Sequence, residues 1–236
     1  MLKFANENDE VATPKPSATV IAVRDGQDGI EALLLQRNPE LAVMGGAWVF
    51  PGGKVDPDDF GSDEMERGRH AAARELFEEA GLTVSADTLT TFSHWLTPVI
   101  MKVRFSTWFF LWGVEGNPTI QVDGSEIVAS RWITAAEALD QHRAGDLQLP
   151  PPTLVSLIDI AEHASVDELH ATVAGREPPM FFPKVFRQEQ QMTFLYAGDA
   201  GYESADPSAE GPQHRTRIVD GRFSYYREIP WTPRGA

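Results

Sequence analysis

Cysteine is absent from all 236 residues, which excludes a disulfide framework and thiolate chemistry while leaving the redox compartment open. Basic side chains are scarce. Only 20 Lys and Arg stand against 35 Asp and Glu, a formal net charge of −15. That balance argues against non-specific binding to nucleic acid or to an anionic membrane. It leaves room for an anionic substrate, because a bound cation reverses the local field. No stretch approaches the ~18 uninterrupted apolar residues of a membrane helix. The first 16 residues, MLKFANENDEVATPKP, are polar and acidic and lack the apolar core of a secretory leader. The chain ends in PRGA, which is not a peroxisomal signal, so the expected address is the cytoplasm. The six histidines form neither HxH nor HExxH, against a zinc site. The phosphate-cradling pattern GxxxxGK followed by Ser or Thr does not occur.

What is present is ordinary globular material, 42% hydrophobic and 23% charged, enough to bury a substantial core. The informative stretch is ARELFEEAGL, Ala73 to Leu82. At ~100° per residue, a helix there groups Glu75, Glu78 and Glu79 on one side. Ala73, Leu76, Phe77 and Ala80 follow the spacing of a buried face on the other. Gly81 suits the left-handed position that ends a helix. At ~5 Å and an effective dielectric of about 20, each like-charge carboxylate pair costs roughly 3 kcal/mol. A hard divalent cation, Mg²⁺ or Mn²⁺, offsets that cost well. The plain alternative is a solvated acidic face paired with Lys or Arg.

Directly upstream runs WVFPGGKVD, in which Gly52 and Gly53 permit a tight turn and close backbone approach. Together these segments resemble the Nudix box: Gly, five residues, Glu, seven residues, then Arg-Glu-aliphatic-any-Glu-Glu-any-Gly-aliphatic. Arg74 to Leu82 matches its second half at every specified position, and Glu66 lies eight residues before Arg74. One departure stands out. Glu66 is thirteen residues beyond Gly53 instead of six, with seven extra residues within DPDDFGSDEM. Glu64 or Asp63 could fill the same role. The helix is expected to start near Arg67 or Gly68, leaving Glu66 in the loop. Were Asp63 the cap instead, Glu66 would turn away from the metal side. LLLQRNPELAVMGGAWVFPGGKVDPDD, ARELFEEAGL and SHWLTP further resemble the branch that includes the peroxisomal coenzyme A diphosphatases, from about Thr19 to Pro152.

The resemblance implies a metal-dependent hydrolase of a diphosphate linkage in a nucleotide derivative. Coenzyme A or its thioesters lead, ahead of ADP-ribose, NADH and dinucleoside polyphosphates. The implied metal ligands are Glu78 and Glu79, then Glu75 and the carbonyl of Gly53, with Glu66 from the first half of the box. Glu75 and Arg74 are implied catalytic residues, Arg74 orienting a glutamate through a bidentate ion pair. The general base is a box glutamate or one from a later loop, with Glu126 the first such candidate and Glu115 the second. Arg37, His94 and Trp95 are candidate substrate contacts, and Arg104 a further one. Against this, Trp95 also reads as core and His94 as a hydrogen-bonded loop residue. A second functional class is a non-catalytic Nudix module binding a nucleotide as regulator or scaffold, favoured only by the insertion before Glu66.

Strands are expected at Ser17–Arg24, Glu31–Arg37, Ala47–Phe50, Leu89–Leu96, Val103–Val114 and Ile127–Ile133. Thr134 with Glu137 opens a helix to about Ala144. After three prolines come helices from Thr153 to His163 and from Ser165 to Gly175. A strand-like QMTFLYAG follows, then a hairpin turning at Asp220-Gly221. The expected fold is α/β: the Nudix α/β/α sandwich around a mixed β-sheet, with a C-terminal α+β extension. The expected divisions are a loose tail over 1–16, the Nudix domain over 17–149, and residues 150–236 packed on the core. The extension is expected to shape the pocket or to supply a homodimer contact. The expected partner is a small-molecule nucleotide, with no nucleic acid and no membrane.

Overall fold

The computed structural model describes Phe4, residues 10–188 and residues 191–234. In chain order the elements are β1 (Lys15–Gly26), β2 (Gly29–Arg37), β3 (Trp48–Val49), β4 (Gly52–Lys54), α1 (Glu64–Ala80), β5 (Thr90–Leu96), β6 (Phe105–Gly113) and β7 (Ile127–Thr134). Then follow α2 (Ala135–Ala144), α3 (Pro151–Ile160), α4 (Val166–Ala174), β8 (Met180–Phe181), β9 (Lys184–Gln188), β10 (Gln191–Leu195), β11 (His214–Val219) and β12 (Arg222–Arg227).

The first eight strands form one mixed sheet in the order β3-β2-β1-β6-β5-β8, with β4 paired to β1 and β7 to β2. Its spine is the parallel pairing of β1 with β6, from Lys15 opposite Phe105 to Val23 opposite Gly113. β6 is apolar on alternate sides because both sides are covered. Phe109 and Leu111 enter the core shared with the later helices and strands, while Phe110 enters the core under α1, flanked by Trp108 and Trp112. The result is the α/β/α layering that the sequence implied.

Local capping chemistry sets the helix ends. The Thr134 side chain accepts from the Glu137 amide at the start of α2, and Ser165 does the same for Glu168 at α4. Each such cap contributes about 1 kcal/mol. α3 starts two residues earlier than expected, because Pro151 suits the first helical turn, where no amide donor is needed. The β11–β12 hairpin turns at Asp220 and Gly221, both left-handed at φ 50° and 76°, as this tight turn requires.

One expectation needs correction. Residues 10–16 are not loose: Lys15 already belongs to β1, and the Ala12 carbonyl accepts from Arg104 Nη1 at 2.9 Å. Phe4 bridges Met101 and packs beneath the Arg187 guanidinium; residues 1–3 and 5–9 lie outside the described residues. The segment after residue 150 packs on the core and shares the main sheet. β8 joins the main sheet beside β5, and Leu154, Leu157, Leu169, Phe181 and Tyr196 share one buried cluster with Ile21 and Leu34. β9 to β12 form a second, antiparallel sheet. Among the described residues no helix is long and apolar enough to cross a membrane.

That second sheet is pinned by a fully buried ion pair. Asp199 takes both Arg215 Nε and Nη2 at 2.6 Å and also accepts from the amides of Gly201 and His214. Burial opposes its charge, but these donors outweigh burial and hold the carboxyl below its usual range. Replacing Asp199 with Ala strands the guanidinium and is expected to cost about 3–5 kcal/mol in urea unfolding at pH 7. Breaking the exposed Lys184–Glu203 pair is expected to cost under about 1 kcal/mol. Equal costs for the two would contradict this reading.

Candidate active site

α1 begins at Glu64, three or four residues before the expected start, because Asp63 caps it and accepts from the Glu66 amide at 2.8 Å. Glu66 then sits at the third helical position and reaches back to the amide and hydroxyl of Ser62 at 2.7 and 2.6 Å. Glu66 is therefore occupied in capping, which corrects its expected role as a metal ligand. The buried stripe is also rotated from the expected one. Gly68, Ala72, Leu76 and Ala80 lie inward, Ala73 is only partly buried, and Phe77 is 60% exposed. Glu79 takes the place in the buried arc that Phe77 was expected to hold.

Glu79 tolerates burial because β4 meets it. Gly52 and Gly53 pair with Thr19 and Ala18 of β1, directly beneath α1, and the Gly52 amide donates to Glu79 Oε2 at 2.9 Å. Burial pushes the Glu79 carboxyl up to about 7; Glu75 and Glu126 add to the rise, while the Gly52 amide and Arg37 oppose it. Glu75 lies against Gly53 so closely that a Cβ there would stand 2.3 Å from Glu75 Oε1. Only glycine fits. Burial raises the Glu75 carboxyl too, against the pull of Arg74. Glu78, by contrast, is 53% exposed.

Arg74 holds this group together. Its Nη1 donates to Glu75 at 3.0 Å and to Glu78 at 3.1 Å. Its bidentate fork, however, closes on Asp59, with Nε to Oδ1 at 3.2 Å and Nη2 to Oδ2 at 3.0 Å, and not on a glutamate as expected. Asp59 is 8% exposed, and Arg74 and the Asp56 amide hold its carboxyl below the usual range although burial opposes its charge. It was missed in the sequence, yet it stands six residues after Gly53. That is where the box places its first acid, so the extra residues follow this position instead of preceding it. Arg67 ties the loop down through the carbonyls of Asp59 and Asp56.

A family model described as NUDIX domain matches residues 13–151. The chain belongs to the Nudix family of hydrolases. It is 31% identical over 206 residues to "Putative nudix hydrolase 7" of Caenorhabditis elegans, covering 72% of this chain and 69% of that one. It is 23% identical to "Acyl-coenzyme A diphosphatase NUDT19" of Xenopus laevis, covering 77% and 73% of the two chains. Among solved structures, a NUDIX hydrolase from Alicyclobacillus acidocaldarius superposes with TM-score 0.63 at 22% identity, over 69% of this chain and 97% of that one. This last likeness speaks for the fold. Nudix hydrolases use divalent metal ions and bind small nucleotide substrates.

The donor set fits a hard divalent cation, since every side-chain donor is a carboxylate oxygen and two of them are desolvated. The glutamates are nevertheless divided, Glu79 inward and Glu78 outward, with Arg74 reaching both Glu75 and Glu78. Among the described residues no three acidic or histidine side chains form a ready metal cage. Of the remaining candidates, Glu126 precedes β7, its amide bound to Asp123, and its charge is felt at Glu79. Arg37, at the end of β2, also acts on Glu79. Glu115 lies elsewhere, beside Trp112 and Gly113.

His94 is set apart. Across the sheet it aligns with Trp108, Ala18 and Gly53, three strand spacings or roughly 14 Å from the glycine turn. Its Nε2 bonds Ser106 Oγ at 2.8 Å, Ser106 donates to Glu64, and burial makes the ring less basic. Trp95 is corrected outright as a substrate contact: it is 6% exposed and stacks on Phe181 at 3.9 Å, on the other layer. Arg104 is likewise spent on the carbonyls of Thr97 and Ala12.

Asp59→Asn keeps the shape of this clamp but removes its charge. Turnover is expected to fall about 10²-fold through misplacement of Arg74 and Glu75, with Asp59→Glu recovering part of it and far-UV circular dichroism unchanged. Wild-type turnover in Asp59→Asn would remove Asp59 from the site.

Proposed function

We propose that this Nudix hydrolase cleaves a diphosphate linkage in a nucleoside diphosphate derivative and releases a nucleoside monophosphate. Coenzyme A or an acyl thioester of it is the first substrate to test. The observation that carries the reaction is the pair of desolvated carboxylates, Glu75 and Glu79, held against Gly52 and Gly53 with Glu126 nearby. The substrate reading rests on the likeness to the acyl-coenzyme A diphosphatases of Xenopus laevis and Homo sapiens, at 23% and 28% identity.

Glu75, Glu78, Glu79 and the carbonyl of Gly53 would hold the cation, Mg²⁺ or Mn²⁺. When bound, such an ion withdraws charge from phosphoryl oxygens and makes water a stronger acid. The chain's own residues do the rest. Arg74, braced by Asp59, orients Glu75 and Glu78. The Gly52 amide fixes one oxygen of Glu79. Glu126 is the proposed proton acceptor from water, and Arg37 the proposed contact to a phosphate.

A panel of coenzyme A, an acyl-coenzyme A, ADP-ribose, NADH and a dinucleoside polyphosphate, assayed with each cation, tests this. Monophosphate release from at least one is expected, with Glu79→Gln slower by at least about 10²-fold. Glu126→Gln is expected to lower turnover by about 10²–10⁴ with metal affinity unchanged. No release from any compound, or full activity in Glu79→Gln, would contradict the proposal.

A further inference from the structure

Glu126 is held at its backbone and free at its side chain. Its amide and those of its two neighbours converge on one carboxylate. Asp123 Oδ2 accepts from Ser125 at 3.0 Å and from Glu126 at 2.9 Å, and Oδ1 accepts from Ile127 at 2.9 Å. The Ser125 hydroxyl donates to the same carboxylate. From the other side, the Asn38 amide donates to the Glu126 carbonyl at 2.8 Å, and Asn38 Nδ2 to the Ser125 carbonyl at 2.9 Å. Asn38 is steadied in turn, its Oδ1 accepting from the Glu40 amide at 3.0 Å. The Glu126 carboxylate, by contrast, enters no hydrogen bond or ion pair among the described residues.

β7 is bent to deliver this turn. It pairs with β2 in regular register from Thr134 opposite Glu31 to Ala129 opposite Gln36; then Arg37 faces Ile127, and Val128 is left over. Such a bulge moves the side chains beyond it to the other face. A regular strand would place Ile127 and Ile133 on one face. Instead Ile133 lies in the core shared with the later helices and strands, and Ile127 in the core under α1. Arg37 and Glu126, brought together by the same bulge, are both felt at Glu79. Burial opposes the Asp123 charge, but the Ser125 hydroxyl and the three amides hold its carboxyl down to about 2. At neutral pH it is therefore charged and accepts from every donor aimed at it.

A proton acceptor on an exposed loop is useful only if the loop is ordered before the reaction, so that no torsions need freezing on the way to the transition state. We propose that Asp123 and Asn38 are positioning residues for hydrolysis, fixing the backbone of Glu126 so that its unpaired carboxylate stays within electrostatic reach of Glu79. This rests on the role of Glu126 as proton acceptor in the proposed function above. Neither Asp123 nor Asn38 touches substrate in this account; both act through Glu126.

Steady-state kinetics on the diphosphate that the wild type cleaves from the panel above separates positioning from plain loop stability. Asp123→Ala is expected to lower kcat about tenfold with KM changed less than about twofold. Asn38→Ala, which removes Nδ2 and keeps the amide, is expected to lower kcat about threefold, and it carries the same comparison if Asp123→Ala misfolds. In the Glu126→Gln background either substitution is expected to cost nothing further, because the group it positions is already gone. Hydrogen exchange without metal or substrate is expected to be at least about tenfold faster at the Glu126 and Ile127 amides in Asp123→Ala. Unchanged exchange, wild-type kcat in both variants, a rise in KM alone, or losses that multiply in the double variant overturns the positioning role alone. Wild-type turnover in Glu126→Gln overturns the proposed proton acceptor and this role with it. No hydrolysis of any diphosphate by the wild type overturns the proposed function, and this role falls with it.

Discussion

Two carboxylates, Glu75 and Glu79, lie one helical turn apart on α1 and are pressed against a glycine turn with too few positive partners. The rest of the site is arranged around that tension. Burial raises both carboxyls, and one guanidinium, Arg74, is shared among Glu75, Glu78 and Asp59. A side chain on Gly53 would collide with Glu75, and loss of the Gly52 amide would leave a buried glutamate oxygen without a donor. The strain is local and specific, which is how a cation-seeking site differs from a solvated acidic face.

The sheet supplies the rigidity on which this depends. β4 is short, yet its pairing with β1 fixes Gly52 and Gly53 beneath the helix, and β1 is in turn locked to β6 over nine residues. The loop between β4 and α1 is long but anchored at both ends. Arg67 and Arg74 bind its start, through the carbonyls of Asp56 and Asp59 and the Asp59 carboxylate, and Glu66 binds Ser62 at its end. The extra residues therefore leave the spacing from Gly53 to the acid that braces Arg74 intact and lengthen only the approach to the helix.

Much of this was legible in the residues, because the governing interactions are local. The caps at Thr134 and Ser165, the turn at Asp220-Gly221 and the two apolar sides of β6 each follow from a few neighbouring positions. What was not legible depends on distant chain. Trp95 is core because Phe181 arrives beside it from β8, some 86 positions later. Glu79 is buried and Phe77 exposed because the Gly52 amide rewards a carboxylate on the inner side of α1, which helical periodicity alone does not weigh. Glu66 was misplaced for a local reason, the competing donors of Ser62. Asp59 could have been found by counting forward from Gly53 instead of back from Arg74.

The most direct measurement is urea unfolding of the wild type and Glu79→Gln at pH 8, with and without a divalent cation. Glu79 has its carboxyl raised to about 7 in the folded protein, above the usual 4.5. For an acid shifted upward, folding favours the protonated form, so stability is lost as pH rises from the unfolded value to the folded one and stays lost above it. Without cation at pH 8, Glu79→Gln is therefore expected to be more stable than the wild type by about 1–3 kcal/mol. Added Mg²⁺ or Mn²⁺ is expected to stabilise the wild type and leave the variant unchanged. A variant less stable than the wild type without cation, and a wild type indifferent to the cation, would contradict the account.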